Sequence, residues 1–172
     1  MSTIVSQLFP GPYSTGVDDF GFPTMIVGTN FAFPVIGFIK GAVDQTIYFR
    51  LPTYNYGASG PSLAVDVDWY ADSAVSGTVR WYVQVAAITP NVDTQDVETK
   101  SLDSATVQET THLGTTGQRL HRTPLTIASA DLDALAAGDF AVLRLSRASS
   151  HANDTLSGVA YVTDVVAAYS DQ

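Results

Sequence analysis

Alternation with period two over Ser62–Ile88 (SLAVDVDWYADSAVSGTVRWYVQVAAI) constrains this chain more than any other stretch. Leu63, Val65, Val67 and Trp69 alternate with Ala64, Asp66, Asp68 and Tyr70. After the small and polar residues of Ala71–Gly77, Val79, Trp81, Val83 and Val85 resume the alternation. Successive side chains of a strand point to opposite faces, so each half has one buried face and one wet face. Two long, aromatic-anchored strands joined by a short loop predict an antiparallel hairpin.

From Val35 onward the same signal recurs. It predicts strands at Val35–Ile39, Thr46–Leu51, Ser62–Ala71, Thr78–Ile88, Ala105–Leu113, Thr123–Ala128, Asp139–Arg147 and Gly158–Tyr169. Turn-rich loops such as Tyr54–Pro61 and Ser149–Thr155 separate them. Short strands so punctuated indicate a sandwich or barrel, and eight antiparallel strands in two sheets are the jelly-roll count. The expected fold is therefore all-β, an eight-stranded antiparallel jelly-roll sandwich with one or two short helices. The helices are expected at Asn91–Glu98, with Asn91 as N-cap, and at Ser129–Ala137, with Ser129 as cap and Gly138 as stop. There is no internal repeat.

Met1–Pro34 differs from the rest. Pro10, Pro12, Pro23 and Pro34, interleaved with Gly11, Gly16, Gly21 and Gly28, exclude long regular elements. The same stretch holds Phe9, Tyr13, Phe20, Phe22, Phe31 and Phe33, and disordered tails are poor in aromatics. Residues 1–34 read as an irregular arm that needs a surface to pack on, its own domain or a neighbouring subunit. Residues 35–172 read as the sandwich domain.

A chain of 172 residues fits one domain. It has no cysteine, which removes disulfides and thiolate metal sites. Seventeen acidic against eight basic residues give a formal net charge of −9, and the only lysines are Lys40 and Lys100. Phosphate-backbone binding needs clustered Lys and Arg, so nucleic acid is not an expected partner. No window supplies the apolar run of a membrane span, and the N-terminal residues lack a signal-peptide pattern. The chain is expected to be made in the cytoplasm and to be soluble there.

Chemistry is sparse. His112, His121 and His151 have no metal-ligand spacing and read as surface or capping residues. No Gly-x-Ser-x-Gly elbow anchors a nucleophile. Asp66 and Asp68 share a strand face, as a Ca²⁺ site or an acid–base pair would require. That face alternates with the apolar one, however, so the two carboxylates read as solvated charges that discourage edge pairing. Asp154, in Asn153-Asp154-Thr155, reads as an Asx-type turn. Trp69 and Trp81 fall on the apolar series and read as core. Tyr54 and Tyr56, in a Gly-rich loop, read as exposed groups suited to a protein or sugar contact. In Gly138–Arg147 (GDFAVLRLSR), Ala141, Leu143 and Leu145 face one way, with Val142 and Arg144 the other. That strand is expected to be covered by a second layer or a neighbour.

Taken in order, the segments Thr46–Pro52 (TIYFRLP), VDWYADSAVSGTVRWYVQV, Ala137-Gly138-Asp139, LRLSR, Asn153-Asp154-Thr155 and GVAYVTDVVAAY resemble jelly-roll virion proteins of tailed bacteriophages. The likeness is to small capsid decoration or cement proteins and covers roughly Val43–Tyr169. Its motifs are those of a scaffold, not of an active site. The resemblance implies a non-enzymatic homotrimer on the virion surface that strengthens joins between major capsid protein subunits. Residues 1–34 would then be the variable anchor, with Phe9, Tyr13, Phe20, Phe22, Phe31, Phe33, Tyr54 and Tyr56 as partner-binding candidates. No cofactor or metal is expected. The alternative is a carbohydrate- or receptor-binding module of a phage tail or head fibre, resting on Tyr54, Tyr56 and the aspartates. A cupin-like metal enzyme would need a His–carboxylate cluster that the scattered histidines do not form.

Overall fold

The computed structural model describes residues 3–8, 22–57, 59–92, 94 and 96–170. Among these residues ten strands are formed: β1 (Thr3–Gln7), β2 (Phe22–Val27), β3 (Ala32–Phe38), β4 (Gln45–Leu51), β5 (Leu63–Ala71), β6 (Gly77–Ile88), β7 (Thr106–His112), β8 (His121–Ile127), β9 (Phe140–Arg147) and β10 (Ala160–Ser170). One sheet runs β2-β3-β10-β5-β8 with β1 also on β10, and the other runs β4-β9-β6-β7. All pairings are antiparallel. Strand β3 pairs with β10, β4 with β9, β5 with β8 and β6 with β7. This nesting is one long hairpin with its tip at β6–β7. Rolling it up adds the β5–β10 and β6–β9 pairings and yields a jelly roll.

The alternating residues fill the space between the sheets. Leu63, Val65, Val67 and Trp69 of β5 face Val79, Trp81, Val83 and Val85 of β6 across the core, all fully buried. Trp81 meets Phe38 edge-on at 5.1 Å and Trp69 at 6.2 Å between ring centroids. The predicted β5–β6 hairpin is overturned, because the two strands lie in opposite sheets. Period two sets which face is buried and leaves the pairing partner open. The loop from Asp72 to Ser76 therefore turns the corner of the sandwich.

Strand β10 carries a bulge between Val162 and Asp164. An extra residue inverts the facing of all that follow, so Ala160 and Val162 before it and Val165, Ala167 and Tyr169 after it are all buried. At this bulge β10 also changes neighbour. Residues Ala160–Val162 pair with β3, while Val166–Ser170 pair with β1.

The irregular arm and the strand count are corrected by β1 and β2. Pro and Gly break the segment often, yet a strand needs only five or six residues, and Thr3–Gln7 and Phe22–Val27 supply windows of that length. Both strands pair with the chain's own sandwich, and β3 runs across residue 34.

Among the described residues neither predicted segment forms an α-helix. Ser129–Asp131 forms a single 3₁₀ turn, preceded by Ala128 and without a side-chain cap. It stops because Asp133 and Ala134 both take φ of 54°, the left-handed region that no helix continues through. The Asp133 carboxylate instead accepts the Ala87 amide at 2.8 Å and pairs with Lys100. Asn91 has φ of 63°, and the Asp96 side chain accepts the Glu98 amide at 2.9 Å, so the described part of Asn91–Glu98 is turn. Within that range, residues 93 and 95 lie outside the described residues.

At the start of β6, Gly77 is required by a close approach. A Cβ there would lie 2.6 Å from Leu156 Cα and 2.7 Å from its amide nitrogen, where the Thr155 and Leu156 amides bond to Thr78 O. Gly77→Ala is therefore expected to cost about 1–3 kcal/mol, the range for forced overpacking. Urea unfolding should show a lower midpoint at an unchanged slope.

Candidate interaction surface

The β2–β3 hairpin is pushed off the sandwich by β1. Leu8 follows β1 and donates its amide to Val165 O at 2.7 Å, so it stands on β10 where β3 would otherwise continue. Only Ile36–Phe38 of β3 remain on β10, and the rest of β3 travels with β2. The hairpin is consequently open to water. Val27 is 81% exposed, Phe31 69% and Met25 58%. Residues 22–39 contain no charged side chain. Such a concentration of exposed apolar residues on a folded protein marks an interaction site.

An aromatic row runs from this hairpin over the outer face of the larger sheet. Ring centroids are 5.4 Å apart for Phe31–Phe33, 6.2 Å for Phe33–Tyr70 and 5.3 Å for Tyr70–Tyr161. Tyr70 is buried beneath its neighbours, and its hydroxyl has no hydrogen-bond partner among the described residues. Burial, with Tyr161 adding to it, pushes the Tyr70 phenol above its ordinary pKa.

Of the residues singled out in the sequence, the structure brings Phe31 and Phe33 together. Phe9, Tyr13 and Phe20 lie outside the described residues. Phe22 begins β2, but its side chain lies outside what is described. Tyr54 is 87% exposed in its loop. Tyr56 is corrected from exposed to buried. It packs edge-on against Tyr169 at 5.3 Å and donates its hydroxyl to Pro61 O at 2.5 Å, closing one end of the core. Burying this ring outweighs leaving it in the loop, so Tyr54 and Tyr56 do not form an exposed stacking pair.

Asp66 and Asp68 lie on the outer face of β5, but both are half-buried. Arg122 of β8 clamps Asp68 with two hydrogen bonds of 2.7 Å and lies 3.8 Å from Asp66. Two readings fail. His112 is buried, not superficial, with Nδ1 2.9 Å from Val75 O and its ring 5.1 Å from that of His121. His121 stacks on Trp69 at 4.9 Å, and burial, with His112 and Arg119 adding to it, lowers its pKa. Asp154 makes no Asx turn. It is fully enclosed and takes both carboxylate oxygens to Arg147, Nε to Oδ2 at 3.0 Å and Nη2 to Oδ1 at 2.9 Å. Among the described residues, no three His or carboxylate groups are placed to hold a metal ion.

A surface missed in the sequence covers the outer face of β4-β9-β6-β7. Arg144 sits at its centre and donates to Tyr82 Oη at 3.1 Å, Ser146 Oγ at 3.1 Å, and Thr46 Oγ1 and Gln84 Oε1 at 3.3 Å. Arg50 lies 3.8 Å above the Phe140 ring. Beside this network a groove of about 210 Å³ opens between Tyr48, Ile88, Phe140 and the overlying Val97 and Leu102. The expected cover over this strand is thus partly the chain's own segment 96–104. Alternation did mark Val142 and Arg144 as outward, but the polar neighbours come from β4 and β6, which the local sequence does not reveal.

Compared by sequence, the chain matches no protein-family model and no curated protein. Among solved structures it is similar to the family 11 carbohydrate-binding module of Clostridium thermocellum, in complex with a β-1,3-1,4-mixed-linked tetrasaccharide. The identity is 10% and the TM-score 0.49, covering 95% of this chain and 94% of that one. It is also similar to the CBM22-1–GH10 modules of xylanase 10B from Clostridium thermocellum, complexed with xylohexaose. That likeness has 12% identity and a TM-score of 0.48, covering 88% of this chain and 25% of that one. A third likeness is to the enzymatically active domain of tailspike protein 4 of bacteriophage CBA120, at 10% identity and TM-score 0.43, covering 95% and 19%. This chain spans a quarter of the xylanase structure's length. None of these likenesses assigns a family or a ligand, and the jelly-roll topology stands on the strand pairing described above.

Proposed function

We propose that this protein is a non-enzymatic structural component of a phage virion, a decoration protein on the capsid surface that binds the major capsid protein and is made in the host cytoplasm. The observation that carries the reading is the uncharged β2–β3 hairpin, displaced from the sandwich by β1 and exposing Met25, Val27 and Phe31. A sandwich with a closed core has no fold-internal use for such a surface, whereas a protein contact does. The reading is tested by adding purified chain to capsid particles lacking it and measuring co-sedimentation and the temperature of capsid disruption. Wild-type protein should bind and raise that temperature. Phe31→Ser should weaken binding by roughly tenfold or more, because burying a Phe side chain is worth about 1.5–3 kcal/mol. Wild-type protein that neither binds nor stabilises the particles would sink the reading.

The second reading, a carbohydrate- or receptor-binding module, is favoured by a different observation. The outer face of β4-β9-β6-β7 opens a groove lined by Tyr48, Phe140 and Lys100, with Arg144 opposite Tyr48 in the strand register. Apolar walls with a few convergent polar groups are what a saccharide needs. Glycan-array binding abolished by Tyr48→Ala would establish it, and a blank array, with Ca²⁺ present, would count against it.

A further inference from the structure

We propose that the outer edge of β2 pairs with the same edge of a second copy of this chain, joining two large sheets across a two-fold axis. The inference rests on the reading of the hairpin as a protein contact: it assigns a second copy to the β2 edge with Met25 and Val27 and leaves Phe31 to the capsid contact.

Three observations select that occupant. The first is the unprotected edge. Strand β2 pairs with β3 on one side, and no described strand lies on the other. Folded proteins guard such edges with charges, prolines or bulges. The edge strands β4, β7 and β8 follow that rule, carrying Arg50, Glu109, and Arg122 with Pro124 respectively. Strand β2 (FPTMIV) has its one proline, Pro23, near its start, which leaves every second amide of Thr24–Val27, those turned away from β3, able to donate. Strand β1 is uncharged too, but it presents Thr3 and Gln7 beside Val5, so β2 offers more apolar area.

The second observation concerns charge. Each chain carries a net charge of −9, so two copies repel one another over most of their surfaces. Residues 22–39 contribute none of that charge. A basic partner would gain nothing electrostatic at this patch, while a second acidic copy is least opposed there.

The third is geometry. An antiparallel strand edge is self-complementary under a two-fold rotation, so one patch serves both partners. Exposed Met25 and Val27 would then be covered by their counterparts across the dyad, and the unused backbone groups of β2 would bond to their equivalents. The capsid-protein likeness noted in the sequence implies a trimer, and an isologous strand edge gives a dimer.

Sedimentation equilibrium of the full chain decides between them. The expected mass is twice the 18.3 kDa of one chain, with association that tightens as salt rises, since screening removes repulsion and no attraction. Met25→Lys and Val27→Lys should each weaken the dimer by roughly tenfold or more, given the apolar area lost and the charge placed on the edge. Val5→Lys should leave it unchanged. Because the chain lacks cysteine, single cysteines at Thr24, Met25, Ile26 and Val27 can be oxidised. Disulfide-linked dimer should form at the one or two positions nearest the dyad, and none at a Gln108→Cys control on β7. A monomer, a trimer, a dimer dissolved by Val5→Lys instead of the β2 variants, or cross-linking at residue 108 would each overturn the pairing. A monomer that still binds capsids would overturn it and leave the assembly reading standing. A β2 dimer that ignores capsids would do the reverse.

Discussion

Arg147→Met is expected to destabilise the protein by about 3–5 kcal/mol, the cost of removing one partner from a buried ion pair. Arg147 has no solvent exposure. Besides both oxygens of Asp154, it donates to Phe38 O at 2.8 Å, to Gly158 O at 2.9 Å and to Leu156 O. One guanidinium thereby ties β9 of the smaller sheet to β3 of the larger and to the loop leading into β10. Asp154 is held further by the Arg80 amide at 3.1 Å and by Lys40 at 3.6 Å. Removing the arginine leaves a buried carboxylate with one backbone donor and one ammonium, plus three carbonyls short of a donor. Stabilities of single domains are only about 5–15 kcal/mol, so much of the folded margin would go. At about 2–4 °C per kcal/mol for a chain of this size, the melting temperature should fall by roughly 6–20 °C. Arg147→Met combined with Asp154→Leu should recover part of the loss and not all of it, because the carbonyls remain unpaired. Thermal melts of the two variants check this, and a single variant within 1 °C of wild type would refute the pin.

Trp81→Ala should cost a similar amount, about 3–5 kcal/mol, the range for truncating a buried aromatic. Trp81 is fully buried between the sheets, in edge contact with Phe38 of the opposite sheet and with Trp69. The cavity would be lined by residues of both sheets, which their backbone pairings keep from collapsing inward. Trp81→Phe should cost clearly less. Besides leaving a smaller void, it deletes an indole N–H that has no hydrogen-bond partner among the described residues, and an unsatisfied buried donor is itself destabilising. Denaturant unfolding of both variants gives the comparison, and equal losses for Phe and Ala would show that packing volume at this position is not what matters.

The strands themselves were legible in the sequence. The eight predicted from Val35 onward correspond to β3–β10, with ends within two residues except that β3 starts three residues earlier, at Ala32, because most have a run of alternating or β-branched residues that encodes the buried face locally. Even the buried arginine left a trace. Arg147 shares the parity of Ala141, Leu143 and Leu145, although the expected facing was drawn only for those three. The acid that meets it was not legible, since Asp154 lies in a loop where no period sets direction. His112 was hidden for a related reason. Strand β7 (TVQETTH) turns Thr110 and His112 toward the core, and polar side chains on both faces erase the alternation.

The interaction surface divides in the same way. The aromatic richness of residues 1–34 pointed to a contact, and Phe31 and Phe33 lie together in one aromatic row with Tyr70. That β1 occupies β10 and turns the β2–β3 hairpin outward depends on the bulge between Val162 and Asp164 and on pairings over 160 residues apart in sequence. By itself, then, the sequence determined an all-β chain, the buried face of those strands whose residues alternate, an acidic net charge and an aromatic-rich N-terminal stretch. The tertiary structure alone decided which strands pair, that β5 and β6 belong to opposite sheets, and that no described strand pairs with the outer edge of β2. The physical reason is range. Side-chain alternation is a property of neighbours along the chain, while sheet order is settled by backbone hydrogen bonds and packing between segments that the chain separates.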